Sequence, residues 1–133
     1  MTELSDKKTR QSKILIVEDH EGIRHSVKQW LVKTFKENEI IEATTGEDAV
    51  EICKEMKPKV VVMDIKLPGI NGIVATKQIK NALPDTKIIM LTIYDIPAFQ
   101  TGALEAGADA FISKNDMYTK LIPTIQSLYH DEK

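Results

Sequence analysis

Three short runs of aliphatic residues constrain the fold of this chain more than any other feature of its sequence. They occupy residues 14–17, 60–63 and 88–91, and none of them alternates between apolar and polar residues. Unbroken runs rich in β-branched residues are typical of strands that are buried on both faces, as in a parallel sheet. Two weaker runs, residues 39–43 and 110–112, are predicted to complete a set of five strands.

Amphipathic stretches separate these runs, and their apolar residues recur at spacings of three and four, which is the period of a helix packed on a sheet. Asn71 is a predicted N-cap, Pro97 a first-turn residue, and Gly107 the end of the helix that Pro97 opens. Pro123 is tolerated only near a first turn, so we expect the fifth helix to begin late. The first two predicted apolar stripes are Ile23, Val27, Trp30, Leu31 and Phe35, and Ala49, Ile52, Cys53 and Met56.

Five strands that alternate with five helices predict an α/β fold of three layers, because right-handed crossovers cover both faces of a parallel sheet with helices. The 133 residues fit one domain. We expect it at residues 13–130, after a flexible leader at 1–12 and before a tail at 131–133. No apolar run approaches the ~20 residues that span a bilayer, so no membrane association is expected. With 18 basic and 20 acidic residues, no direct contact with nucleic acid is expected either.

The single cysteine, Cys53, excludes an internal disulfide and a cysteine-based zinc site. Because it falls within an apolar helical stripe, we predict a small buried side chain rather than a reactive thiol. A cytoplasmic setting is compatible with this use of cysteine.

Acidic residues stand at the carboxyl ends of two predicted strands. Glu18 and Asp19 follow the first strand directly, and Asp64 follows the third. If these two strands are neighbours, the three carboxylates share one pocket, and their mutual repulsion is relieved by a cation. Mg²⁺ prefers oxygen ligands of this kind. Taken singly, each acid also fits a plainer role as a turn or helix-cap residue.

A hydroxyl and an ammonium group stand at the ends of the next two strands. Thr92 ends the fourth strand, and Lys114 follows the fifth. Phosphoryl transfer to Asp64 would use a nucleophilic carboxylate, a divalent cation, a hydroxyl donor and a lysine. Separately, Thr92 fits an ordinary strand end and Lys114 a solvated surface charge. Together with the acids they predict a site for phosphoryl transfer.

These four junctions resemble the receiver domain of two-component response regulators, in the order of that family and over nearly the whole chain. The resemblance implies the flavodoxin-like receiver fold, with five parallel strands in the order 2-1-3-4-5. The acidic pair is Glu–Asp where the family often has Asp–Asp, which leaves the metal ligand in place. The stretches that carry the resemblance are ILIVEDH, VVVMDIKLPGINGI, IIMLT and GADAFISK.

The resemblance also implies roles for the acidic residues. Asp64 would accept a phosphoryl group from a sensor histidine kinase or a phosphotransfer protein. Mg²⁺ would be bound by Asp19 and Asp64, by Glu18 through water, and by the backbone carbonyl of Lys66.

For the switch, the resemblance implies that Thr92 and Lys114 hold the phosphoryl oxygens while Thr92 and Phe111 change position. Core packing is the plainer role of Phe111, and the two roles are compatible. The fourth helix, fifth strand and fifth helix would then present a changed face, through which a homodimer is expected. Lys66 and Tyr94 each lie two residues past a site residue, so we predict that they slow hydrolysis of the acyl phosphate.

The predicted function is therefore phosphorelay signal transduction in the cytoplasm by a domain that is not an enzyme but promotes its own phosphorylation and dephosphorylation. The stretch LTIYD resembles receivers with a LuxR-type helix-turn-helix output, which implies regulation of transcription. One alternative is a stand-alone receiver or a pseudo-receiver that acts only through protein contacts. Another is a flavodoxin-like electron carrier or a phosphatase. Flavodoxin needs a hydroxyl- and glycine-rich phosphate loop after its first strand, which is absent here.

Overall fold

Five parallel strands alternate with five helices along residues 12–130, the part of the chain that this computed structural model describes. The strands are β1 (Lys13–Val17), β2 (Glu39–Ala43), β3 (Val60–Met63), β4 (Lys87–Thr92) and β5 (Ala110–Ser113). The helices are α1 (Glu21–Thr34), α2 (Gly46–Met56), α3 (Gly72–Ala82), α4 (Pro97–Ala106) and α5 (Met117–His130), with a 3₁₀ turn (Lys114–Asp116) before α5. Apart from Ser12, the predicted leader lies outside the described residues, as does the predicted tail.

The strands form one sheet in the order β2-β1-β3-β4-β5, which confirms the predicted fold class and strand order. All four pairings are parallel, and β1 lies between β2 and β3, so that Leu15 pairs with Ile41 on one side and Val61 on the other. Since parallel strands are joined by crossovers, each strand enters the sheet from the same edge. All five carboxyl ends therefore meet at the opposite edge.

Helices cover both faces of the sheet and form two separate cores with it. Residues from α2, α3 and α4 pack on one face, and residues from α1 and α5 pack on the other. Alternate side chains of β1, β3 and β4 enter the two cores, which is why these strands are apolar at every position. The first core includes Leu15, Met63, Met90, Cys53 and Ile79, and the second includes Ile14, Val62, Ile89, Leu31 and Leu121.

Several helix boundaries confirm the predicted signals. The side chain of Asn71 accepts a hydrogen bond from the N–H of Val74 at 2.9 Å and so caps α3. Pro97 begins α4, and Gly107 ends it with a φ of 106°, a left-handed conformation that favours glycine. These signals were readable because each is a local property of one residue.

Two predictions about the helices are wrong. The fifth helix does not begin late, since α5 starts at Met117 and holds Pro123 in its interior. Leu121 and Ile125 are fully buried on either side of the proline, and their burial offsets the cost of about 3 kcal/mol for an interior proline. Met56, predicted to lie in a buried stripe, is 38% exposed as the last residue of α2.

Among the helices of residues 12–130, none combines the length and the hydropathy that crossing a membrane requires.

The thiol of Cys53 is expected to react only when the fold opens. The side chain has no exposed surface, and burial raises its pKa to about 12. Alkylation by iodoacetamide at pH 8, followed by mass spectrometry, should therefore be at least about a thousandfold slower in buffer than in denaturant, because opening a folded domain costs several kcal/mol. Similar rates in the two conditions would contradict this assignment.

Candidate functional site

The acidic residues of β1 and β3 meet because these strands are neighbours. Val17 pairs with Met63, and the N–H of Asp64 donates to the carbonyl of Val17 at 3.0 Å. One carboxylate oxygen from each of Glu18, Asp19 and Asp64 lies within 4.8 Å of the others. The three predicted acids therefore share one pocket at the carboxyl edge of the sheet.

Lys114 joins two of these carboxylates. Its Nζ lies 2.7 Å from Oε1 of Glu18 and 3.0 Å from Oδ2 of Asp64. Its side chain is 8% exposed, which rules out the plainer interpretation as a solvated surface charge. Charges removed from water in this way are tolerated only when they are paired and hydrogen-bonded.

Backbone groups fix the remaining oxygens of the two buried acids. Oε2 of Glu18 accepts from the N–H of His20 at 3.0 Å, and Oδ1 of Asp64 accepts from the N–H of Ile65 at 2.7 Å. Asp19 is exposed, whereas Glu18 and Asp64 are buried. His20, rather than the acidic pair, caps α1, because its Nδ1 accepts from the N–H of Ile23.

The surroundings of the pocket shift two pKa values. Burial raises the pKa of Glu18, and the hydrogen bonds from Lys114 and His20 reverse this only in part. Burial lowers the pKa of Lys114, but its hydrogen bonds to Glu18 and Asp64 outweigh that effect, so the pKa is raised overall. Lys114 is therefore an ammonium ion at neutral pH.

The chemistry of this donor set fits a magnesium ion. Three carboxylates supply hard oxygen atoms, and clustered negative charge is stabilised by a divalent cation. The exposed position of Asp19 leaves room for water, which Mg²⁺ retains in most protein sites. The residues present could therefore hold Mg²⁺.

The other predicted residues lie in or just after β3, β4 and β5, towards the carboxyl ends of these strands. Thr92 has no exposed surface, and its Oγ1 accepts from the N–H of Tyr94 at 3.2 Å. Phe111 is half-buried and packs against the core that α2, α3 and α4 cover. The side chain of Lys66 is exposed, and its Nζ lies 5.1 Å from the ring centroid of Tyr94, within the range of a cation–π contact.

Sequence reasoning missed the residues that hold the loop after Asp64. Oε2 of Glu47 accepts from the N–H of Ile70 at 3.1 Å. The N–H of Gly72 donates to the carbonyl of Ile65 at 2.7 Å, and a Cβ at Gly72 would overlap the carbonyl oxygen of Asp64. The available signal was a glycine inside the first turn of a helix, where glycine is unfavourable.

Residues 14–126 match the response regulator receiver domain family. The chain belongs to this family. This receiver domain is 34% identical over 121 residues to response regulator UvrY of Escherichia coli, with 90% of this chain and 55% of that protein covered. It is 30% identical over 121 residues to response regulator GacA of Pseudomonas aeruginosa, with 91% and 56% covered. The chain thus spans about half the length of these relatives.

Solved structures of receivers are similar to this one. A LuxR-family two-component response regulator from Aurantimonas sp. SI85-9A1 is 30% identical, with a TM-score of 0.81 and 88% of this chain and 84% of that chain covered. The signal receiver domain of a DNA-binding response regulator from Colwellia psychrerythraea 34H is 26% identical, with a TM-score of 0.83 and 90% and 98% covered. The chain is therefore a receiver domain of two-component response regulators, and the alternative functions are not favoured.

Replacing Gly72 by alanine is expected to lower the free energy of unfolding by about 1–3 kcal/mol, because the new methyl group overlaps the backbone at Asp64. Gly102→Ala is the matched control: there a Cβ meets only Cδ1 of Ile73, at 3.4 Å. Alanine in the interior of α4 should stabilise the fold by about 0.5–1 kcal/mol. Urea unfolding followed by circular dichroism measures both changes, and equal effects would refute the assigned contact.

Proposed function

We propose that this receiver domain accepts a phosphoryl group on Asp64 and thereby acts as a phosphorylation-dependent switch. The observation that supports this most directly is the environment of the Asp64 carboxylate. It is 7% exposed at the end of the central strand β3 and is paired with the Lys114 ammonium inside a cluster of carboxylates. A buried nucleophile beside a buried cation is suited to a reaction in which negative charge moves onto phosphoryl oxygens.

Each group of the site has a separate role in the proposed transfer of the phosphoryl group. A carboxylate oxygen of Asp64 attacks the phosphorus of a phosphohistidine, a P–O bond forms, and the P–N bond breaks. The electron pair of that bond leaves on the imidazole, which takes up a proton. Lys114 neutralises charge on the phosphoryl oxygens, and the hydroxyl of Thr92 donates to one of them. The N–H of Ile65 keeps the carboxylate oriented throughout.

Mg²⁺ would be held by Asp19 and Asp64, by Glu18 through water, and by the backbone carbonyl of Lys66. The carboxylate cluster of the first three residues supports this ligand set. When bound, the ion supplies positive charge that neutralises the phosphoryl oxygens. The domain is then a signalling module that promotes its own phosphorylation and dephosphorylation rather than an enzyme with a separate substrate.

Thr92 and Phe111 are proposed to carry the switch. Phe111 is half-buried and lines an open cleft of about 230 Å³ beside β5, so a change of its rotamer would reach the surface there. The resulting change would alter the face formed by α4, β5 and α5, through which a homodimer is proposed. Exposed apolar side chains at Ile96 and Leu104, 48% and 65% exposed, support an interaction along α4.

The partner that phosphorylates Asp64 is proposed to be a sensor histidine kinase or a phosphotransfer protein in the cytoplasm. The relatives' names support an output in transcription, since similar structures include a DNA-binding response regulator of the LuxR family from Staphylococcus aureus, 26% identical with a TM-score of 0.75. The receiver domain would control an output domain or partner. It would not contact DNA itself.

Incubation with acetyl phosphate and Mg²⁺ should add the mass of one phosphoryl group to the wild-type chain and none to Asp64→Asn. Asp85→Asn is the matched control, because Asp85 is an exposed carboxylate before β4, at the opposite edge of the sheet. Intact-mass spectrometry gives the readout, and chelation of Mg²⁺ should abolish the adduct. Labelling that persists in Asp64→Asn, or that does not need Mg²⁺, would overturn the proposal.

Lys66 and Tyr94 are expected to slow hydrolysis of the acyl phosphate by covering the path of the attacking water. Nζ of Lys66 lies 5.1 Å from the ring centroid of Tyr94, and loss of about 0.5–1 kcal/mol of cation–π energy would correspond to a two- to fivefold change in the rate of hydrolysis. The half-life of the phosphorylated form should shorten by about that factor in a Lys66→Ala, Tyr94→Ala double variant.

Lys77→Ala provides the control for this measurement, because Lys77 is an exposed lysine on α3. Decay of the phosphorylated mass after removal of acetyl phosphate gives the half-life. An unchanged half-life in the double variant would show that the pair does not shield the phosphoryl group.

A further inference from the structure

Arg24 spans the turn that carries the acidic pair. Its Nη1 donates to the carbonyl of Glu18 at 3.0 Å, and its Nε donates to Oε1 of Glu42 at 3.0 Å. The carbonyl of Glu18 belongs to the peptide that leads into Asp19. This hydrogen bond therefore fixes the plane of the peptide immediately before the exposed carboxylate of Asp19.

Glu42 anchors the guanidinium to the sheet. It pairs with Ile16 in the parallel ladder of β1 and β2, and its Oε2 also accepts from Nζ of Lys28 at 2.8 Å. The hydrogen bond from Lys28 and that from Arg24 lower the pKa of Glu42, so the anchor is an anion. Arg24 is itself only 19% exposed, and it is held from both sides.

The two acids of the pair are held in different ways. The side chain of Glu18 is fixed by Lys114 and by the N–H of His20, whereas Asp19 is exposed. The direction in which Asp19 presents its carboxylate therefore depends on its backbone. An oriented ligand binds a metal ion more tightly because less freedom is lost on binding.

From this geometry we infer that Arg24 is a positioning residue of the magnesium site, which orients Asp19 through the carbonyl of Glu18 and is itself oriented by Glu42. The inference rests on the proposed function, since it assigns the affinity of the acidic cluster for Mg²⁺ in part to a residue that is not a ligand. Groups that orient ligands without touching the metal change affinity by about 10- to 100-fold in other metal proteins.

Simple electrostatics predicts the opposite effect of removing Arg24 on the affinity for Mg²⁺. Removal of a cation beside three carboxylates makes the pocket more negative and should tighten binding of a divalent cation. Loss of positioning should weaken it. Lys28 separates the two effects. Like Arg24, it is a cation that binds the carboxylate of Glu42. Among the hydrogen bonds of the described residues, however, none joins Lys28 to Glu18, so its removal tests the charge effect alone.

The test is calorimetric titration of the folded chain with MgCl₂ for the wild type and for the variants Arg24→Met, Glu42→Gln and Lys28→Met. Arg24→Met should raise the dissociation constant by about tenfold, and Glu42→Gln should raise it by a smaller factor in the same direction. Lys28→Met should bind as the wild type or more tightly. The double variant Arg24→Met, Glu42→Gln should be no weaker than Arg24→Met alone, since both act through one hydrogen bond.

Labelling by acetyl phosphate provides a second readout. In Arg24→Met the Mg²⁺ concentration for half-maximal labelling should rise by the same factor, while the rate at saturating Mg²⁺ should match the wild type. If Arg24→Met proves unfolded by circular dichroism, Arg24→Lys decides the question in its place, because it keeps the positive charge but lacks the guanidinium whose separate nitrogen atoms reach the carbonyl of Glu18 and Oε1 of Glu42.

Affinity equal to or tighter than the wild type in Arg24→Met overturns the inference, as does equal weakening in Lys28→Met. These outcomes leave the proposed function intact, because the wild type still binds Mg²⁺ and is labelled on Asp64. A wild type that neither binds Mg²⁺ nor accepts a phosphoryl group removes the proposed function and the inference together.

Discussion

Parallel pairing of β1 with β3 is the constraint on which the rest of this structure depends. It places Val17 opposite Met63, so the chain leaves both strands at one edge, with Glu18 and Asp64 side by side. Because helices cover both faces of the sheet, neither carboxylate can turn fully to solvent. The ammonium of Lys114, delivered from the end of β5, offsets their charge at 2.7 and 3.0 Å. The charged pocket is thus a consequence of the topology, and its chemistry a consequence of the charges.

Such a pocket contributes little to the stability of the fold. Two buried carboxylates and one ammonium lose hydration that their pairing recovers only in part, and apolar residues of similar volume are often at least as stable. The raised pKa of Glu18, caused first by burial, shows that part of this cost is present in the folded domain. Charge held at such a cost is better explained by what it binds, which is the physical reason to propose phosphoryl transfer rather than stability as the role of the pocket.

The sequence revealed those parts of the molecule that leave a local pattern. Strands buried on both faces leave unbroken aliphatic runs, and Asn71 marks a helix end by its own capping chemistry. The position of Pro123 was misjudged because a local rule about helices was outweighed by burial of neighbouring side chains. Arg24 and Glu47 were missed for a related reason. Their hydrogen bonds to Glu42 and to the N–H of Ile70 join residues 18 and 23 positions apart, so each resembles any charged residue near a helix N-terminus.

The same contacts decide which parts of the site are free to respond. The turn after β1 is held by Arg24, and the loop after β3 by Glu47 and by the close approach of Gly72 to Asp64. The turn after β4 is held differently, because the N–H of Tyr94 donates to the hydroxyl of Thr92. On the proposed function, that hydroxyl is the one that a phosphoryl oxygen attracts, and its movement would break this hydrogen bond. Charge added at Asp64 would then loosen the segment that leads into α4 while the turns after β1 and β3 stay fixed.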